Sequence, residues 1–88
     1  MALIHLTIVT PKERPFEGEA RRIVVRTRAG DVCIMPRHIA FAAALGEGEA
    51  RVTAEDGTVR RAHVCGGMLH VAADQVQVVT NTFSWKDE

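Results

Sequence analysis

The 88-residue chain is long enough for one compact domain and no more. Its 11 lysines and arginines balance 11 acidic residues, so no net field draws it to nucleic acid or to an anionic membrane surface. It has no run near the roughly 20 apolar residues of a membrane helix, and two cysteines, Cys33 and Cys65, are too few for a disulfide scaffold.

The N-terminus MALIHLTIVTPKE has neither a basic leader nor a small-residue cleavage site, so a reduced, cytoplasmic setting is expected. Aromatic residues are sparse: no tyrosine, one tryptophan (Trp85) and three phenylalanines. A binder that stacks bases or sugars normally carries more.

In chain order, LIHLTIVT alternates. Ile4, Leu6 and Ile8 share one face while His5 and Thr7 share the other, which is the pattern of a half-buried strand. TPKERP stops it with prolines and charges. ARRIVVRTR is rich in β-formers around Ile23, Val24 and Val25. RAGD makes a turn, after which Val32, Ile34 and Pro36 alternate with Cys33 and Met35. IAFAAALGEGEA holds alanines that favour helix, but the run to Gly46 is short for one, and a short strand is the better expectation. Asp56-Gly57 is the strongest hairpin signal, because both residues tolerate positive φ. VRRAHVCGGMLHVAADQVQVVTN divides into two or three strands, with breaks at Gly66-Gly67 and Ala73-Asp74. The predicted class is all-β: a small antiparallel β-sandwich of roughly eight to ten short strands, without internal repeat or linker.

Reaction chemistry finds little support. His63 and Cys65 share a strand face, and His70 joins them only if the glycine pair adds a bulge. That is a poor match to the three or four ligands zinc needs. Each cysteine has a histidine available elsewhere in the chain, but no nucleophile signature surrounds either. The carboxylate pairs Glu47/Glu49 and Glu55/Asp56 lie in turns, where solvation explains them. Gly46-Glu47-Gly48 lacks the lysine and hydroxyl of a phosphate loop. Arg21, Arg22, Arg26 and Arg28 crowd one strand, where solvated faces and edge protection account for them better than nucleic acid does. The residues therefore point to a binding or structural module with no catalytic, metal or cofactor residues. The alternative is a free-standing small-ligand or metal-binding β-sandwich built on His63, Cys65 and His70.

Several motifs follow one another in order: Leu6-Thr7-Ile8-Val9-Thr10-Pro11, then Phe16-Glu17-Gly18, then Gly30 to Phe41, then Cys65 to Val71, then Val76 to Thr82. In this order and spacing the chain resembles the N-terminal domain of the epsilon subunit of F-type ATP synthase. It departs from that pattern where Cys33 and Arg37 stand for usual glycines, Ala40 for a proline, Cys65 for a serine and His70 for an acidic residue. Family members continue into two C-terminal helices, and Ser84 to Glu88 stands where those would begin. The expectation is a single domain over residues 1–88 without the helical domain and its nucleotide site.

The resemblance implies a non-catalytic subunit of the central stalk. It would join the gamma subunit to the ring of c subunits, contact the membrane only through that ring, sit on its inner, cytoplasmic face, and bind no nucleotide, cofactor or nucleic acid. It also implies the contact residues: Asp31 as a rim carboxylate facing polar c-subunit loops, Pro36 stiffening the corner, Arg37 and His38 beside it, and Met35, Ile39 and Phe41 supplying apolar area.

Overall fold

A computed structural model describes residues 2–37 and 39–86. The described residues form seven strands and no helix: β1 (Ile4–Val9), β2 (Phe16–Thr27), β3 (Gly30–Ile34), β4 (Phe41–Ala44), β5 (Glu47–Ala54), β6 (Val59–Ala72) and β7 (Gln75–Trp85). Five of them close on themselves. β1 pairs with β7, β7 with β6, β6 with β5, β5 with β2, and β2 returns to β1. β3 extends from β2, and β4 pairs with β6.

The all-β class is as expected, but the number of strands and part of the topology are not. Seven strands replace the anticipated eight to ten because β2, β6 and β7 run 12, 14 and 11 residues. The β1–β7 pairing is parallel rather than antiparallel. Inside the ring lies the core, with Ile4, Leu6, Ile8, Ile23, Val25, Val52, Val64, Leu69 and Val71 almost wholly buried. Burying a side chain of this size contributes about 1.5–3 kcal/mol. Phe83 stacks edge-on against Trp85 with centroids 4.8 Å apart, and the Arg60 guanidinium sits 3.7 Å over the Trp85 ring.

Gly66-Gly67 does not end a strand. It reverses which side faces inward: Ala62 and Val64 are buried before it, Leu69 and Val71 after it. Neighbouring strands switch at the same level. Leu45 is buried just after β4, whereas Ala50, Val52 and Thr53 are the buried positions of β5. In β7 the buried set Val76, Val78 and Thr80 gives way to Phe83 and Trp85. Hydrogen bonds from Leu45 N–H to Gly67 O (2.9 Å) and from Gly66 N–H to Gly46 O (3.3 Å) carry the ladder through the switch. Gly67 has φ 110°, and a Cβ there would overlap the Val79 carbonyl oxygen and lie 2.7 Å from Thr80 Cα. Only glycine fits. The buried Thr80 hydroxyl donates to Gly66 O at 2.7 Å.

β2 shifts phase by a bulge between Ala20 and Arg22, which frees Arg21 to donate from Nε to Glu55 O at 3.0 Å. That contact supports the Asp56-Gly57 hairpin, which forms as expected. Gly57 takes positive φ (92°), while the Asp56 carboxylate accepts the Thr58 N–H at 2.9 Å. The bond from Gly57 N–H to Ala54 O marks a turn closed by a left-handed glycine, one of the longer hairpin loops rather than the two-residue kind. Ala73 supplies the positive φ (55°) of the tight β6–β7 turn.

Candidate partner interface

β3 begins after the turn at Arg28-Ala29, which the Thr27 hydroxyl secures by donating to Gly30 O at 2.6 Å. Antiparallel pairing then sets Asp31 opposite Arg26, whose Nε donates to Asp31 Oδ1 at 2.6 Å. That hydrogen bond, with the charge behind it, holds the Asp31 carboxyl below the usual carboxylate range and raises Arg26. Both groups lie in solvent, so the pair orients the carboxylate more than it stabilises the fold.

The remaining implied contact residues lie at the other end of β3, about 13 Å from Asp31 at 3.3 Å per residue. Met35 is 51% exposed and Ile39 78% exposed. Pro36 is half-buried between them, and Arg37 is exposed with φ 65°. A position usually held by glycine thus retains the left-handed backbone despite its side chain. Arg37 N–H donates to Asp74 Oδ1 at 2.8 Å, and Asp74 O accepts the His5 N–H at 2.8 Å. The β6–β7 turn therefore ties down both this corner and the start of β1. Phe41 opens β4 opposite Val71 and is partly buried against the core, so only part of its ring faces outward. His38 lies outside the described residues. The described part of the implied contact set is thus two groups, an acidic end at Asp31 and a corner where apolar Met35, Pro36 and Ile39 flank the Arg37 cation.

Alternation and cross-strand pairing also sort the outer surface by charge. On the side of β5 and the first half of β6, Glu49 meets three cations: Lys86 at 3.3 Å, Arg51 at 3.7 Å and Arg61 at 4.0 Å. Glu47 meets His63 at 3.4 Å. On the opposite side, one outward row runs through paired residues Val9, Val79, Met68 and Ala44, and the next through Thr7, Gln77, His70 and Ala42. A third holds His5, Gln75 and Ala72. None of these residues is aspartate, glutamate, lysine or arginine. Met68 and Val79 are 49% and 45% exposed. Glu17 and Glu19 border the rows on β2, 4.0 and 3.7 Å from the His5 ring. Sequence periodicity does not pick out this face, because the reversal at Gly66-Gly67 hides the outward phase of β6.

The same reversal, made by two positive-φ glycines without a bulge, turns His63, Cys65 and His70 all outward, but spreads His63 and His70 about 23 Å along β6. Among the described residues no three His, Cys, Asp or Glu side chains gather to hold a metal ion. An open cleft of about 390 Å³ runs beside the Thr10–Glu13 loop with Phe83 in its wall. Cys33 is exposed and Cys65 half-buried, and both are free thiols.

Residues 3–86 match the family model described as ATP synthase, Delta/Epsilon chain, beta-sandwich domain. The ATP synthase epsilon chain of Alkalilimnicola ehrlichii is 37% identical over 82 residues, covering 93% of this chain and 59% of its own length. That of Ruminococcus albus is 33% identical over 89 residues, covering 100% and 66%. Among solved structures, a chain of the Euglena gracilis mitochondrial ATP synthase (OSCP/F1/c-ring) superposes with TM-score 0.93 at 24% identity, covering 100% of this chain and 56% of that one. A chain of the Tetrahymena thermophila mitochondrial ATP synthase central stalk and c-ring gives TM-score 0.79 at 17% identity, covering 97% and 68%. At these identities the two structures show a shared fold. This chain spans 59% to 66% of the length of these two curated relatives. Matched from residue 3 to residue 86, it belongs to the ATP synthase delta/epsilon chain beta-sandwich domain family.

Proposed function

We propose that this chain is a non-catalytic central-stalk subunit of a rotary F-type ATP synthase, joining the gamma subunit to the c-ring so that ring and shaft turn together. The observation that carries the reading is the match of nearly the whole chain to the delta/epsilon beta-sandwich family. Such a joint needs a stiff body and an exposed grip rather than a reaction centre. The closed five-strand ring is the stiff body. The grip is Asp31 with Met35, Pro36, Arg37, His38, Ile39 and Phe41, a carboxylate for polar loops and an apolar corner for buried area. Apolar area has to supply most of the hold, because rim charges contribute little. Asp31 keeps its second oxygen for a partner while Arg26 occupies the first. No nucleotide or cofactor is assigned a role. The placement is peripheral, through the c-ring; no helix among the described residues is long and apolar enough to cross a membrane.

The test is co-purification. Tagged chain is expected to retain gamma and c subunits, and Ile39→Glu or Met35→Glu to reduce that retention. Wild-type chain that retains neither would end the reading.

A further inference from the structure

We infer that Asp56-Gly57 is a site of spontaneous isomerisation to isoaspartate, and that the folded β5–β6 hairpin holds it shut. The reaction needs no enzyme. The Gly57 backbone nitrogen attacks Asp56 Cγ, a C–N bond forms, and the carboxyl hydroxyl leaves with the amide proton as water. Solvent water then opens the five-membered succinimide. Opening at the original backbone carbonyl leaves the chain running through Cβ, which is isoaspartate; opening at the other carbonyl returns aspartate. Nothing is oxidised or reduced, and the mass is unchanged. Sequence selects the site. Glycine has no side chain to hinder ring closure, whereas Asp31, Asp74 and Asp87 precede Val32, Gln75 and Glu88. Asp56 is exposed, so water reaches it.

The hairpin engages each reacting group. The nucleophile, Gly57 N–H, donates to Ala54 O at 2.9 Å, and the electrophile, the Asp56 carboxylate, accepts the Thr58 N–H at 2.9 Å. Attack turns the Asp56–Gly57 peptide plane toward Cγ and strips the nitrogen of its proton, which breaks the first bond. The second bond holds the Asp56 carboxyl below the usual carboxylate range and so ionised, and an ionised carboxylate resists a nucleophile. Two further contacts fix the frame. Ala54 N–H donates to Thr58 O at 2.8 Å, and Arg21 Nε donates to Glu55 O at 3.0 Å, its guanidinium 3.6 Å from where a Gly57 Cβ would stand. The loop must therefore open before the ring can close. Isoaspartate puts one more carbon into the backbone of the turn, which breaks the spacing of these bonds, so the product marks copies whose hairpin has opened.

The experiment incubates the whole chain at one temperature and pH, folded in buffer and unfolded in guanidinium chloride. Isoaspartate is counted by enzymatic methyl transfer to its free α-carboxylate and located by peptide mapping. The unfolded chain is expected to accumulate it at Asp56 at least about tenfold faster than the folded one, the ratio that two net hydrogen bonds impose. Arg21→Ala is expected to raise the folded rate severalfold and leave the unfolded rate unchanged. Asp56→Glu, which would have to close a six-membered ring, is expected to remove the signal in both states. If folded and unfolded wild type isomerise equally fast, or if the unfolded chain gains no isoaspartate at Asp56, the inference is overturned. It is also overturned if Arg21→Ala, folded by circular dichroism, isomerises no faster than wild type. Should that variant fail to fold, the wild-type comparison alone decides.

Discussion

Arg37 and Asp74 stand 37 positions apart, yet the backbone N–H of the first donates to the carboxylate of the second at 2.8 Å. The exposed corner after β3 is thereby anchored to the β6–β7 turn. Asp74→Ala is expected to cost about 1 kcal/mol, or roughly 4–8 °C in melting temperature for a domain this size. Hydrogen exchange is the sharper measurement: the Arg37 amide should lose protection while the Leu69 amide, in the core of β6, keeps its own.

Arg37 also sits at φ 65°, a conformation that costs a side chain but not glycine. Arg37→Gly is expected to stabilise the fold by about 0.5–1 kcal/mol, the strain relieved exceeding the added freedom of the unfolded chain. Denaturant unfolding would show a higher midpoint with an unchanged slope; a lower midpoint would mean that the arginine side chain holds the corner.

Gly67→Ala is the severe case. Its methyl would run into the backbone at Val79 and Thr80 from a positive-φ position, and backbone cannot step aside as a flexible side chain does. A loss of about 3 kcal/mol or more is expected. Gly18→Ala serves as the comparison, because no atom lies within 4 Å of a Cβ at that position. Equal losses at the two sites would refute the steric account.

Acid should weaken the fold through two named carboxylates. The hydrogen bond and charge of Arg26 depress Asp31, and the Thr58 N–H depresses Asp56. A carboxyl depressed in the folded state contributes stability above the ordinary carboxylate range, and that contribution is lost as pH falls through the folded value. Asp31→Asn and Asp56→Asn should each flatten the acid limb of a stability–pH profile. High salt should erase the Coulombic part of the Asp31 contribution, since that pair lies in solvent.

The strand content was legible where alternation is clean. Ile4, Leu6 and Ile8 face inward as read, the Asp56-Gly57 hairpin forms, and the alanine-rich run becomes β4. What stayed hidden depends on pairing between distant strands. Gly66-Gly67 looks like a stop, but with β4–β5 and β7 supplying partners on both edges it becomes a change of phase within one strand. Parallel pairing brings β1 beside β7, strands more than 60 residues apart, and no local pattern encodes it. The candidate contact set was legible only through resemblance. Its division into an acidic end and an apolar corner follows from the length of β3, and the ion pair at Asp31 from register with β2.

The parallel pairing of the first and last strands also governs how the molecule bears a pull. Force applied at the leading end of β1 and the trailing end of β7 acts along both strands in opposite directions. The interstrand bonds from His5–Gln75 to Val9–Val79 then share the load together instead of parting one by one like a zipper. A body tugged at the outer ends of these two strands is therefore held by a clasp, and its rupture force should exceed that of a hairpin peeled from one end.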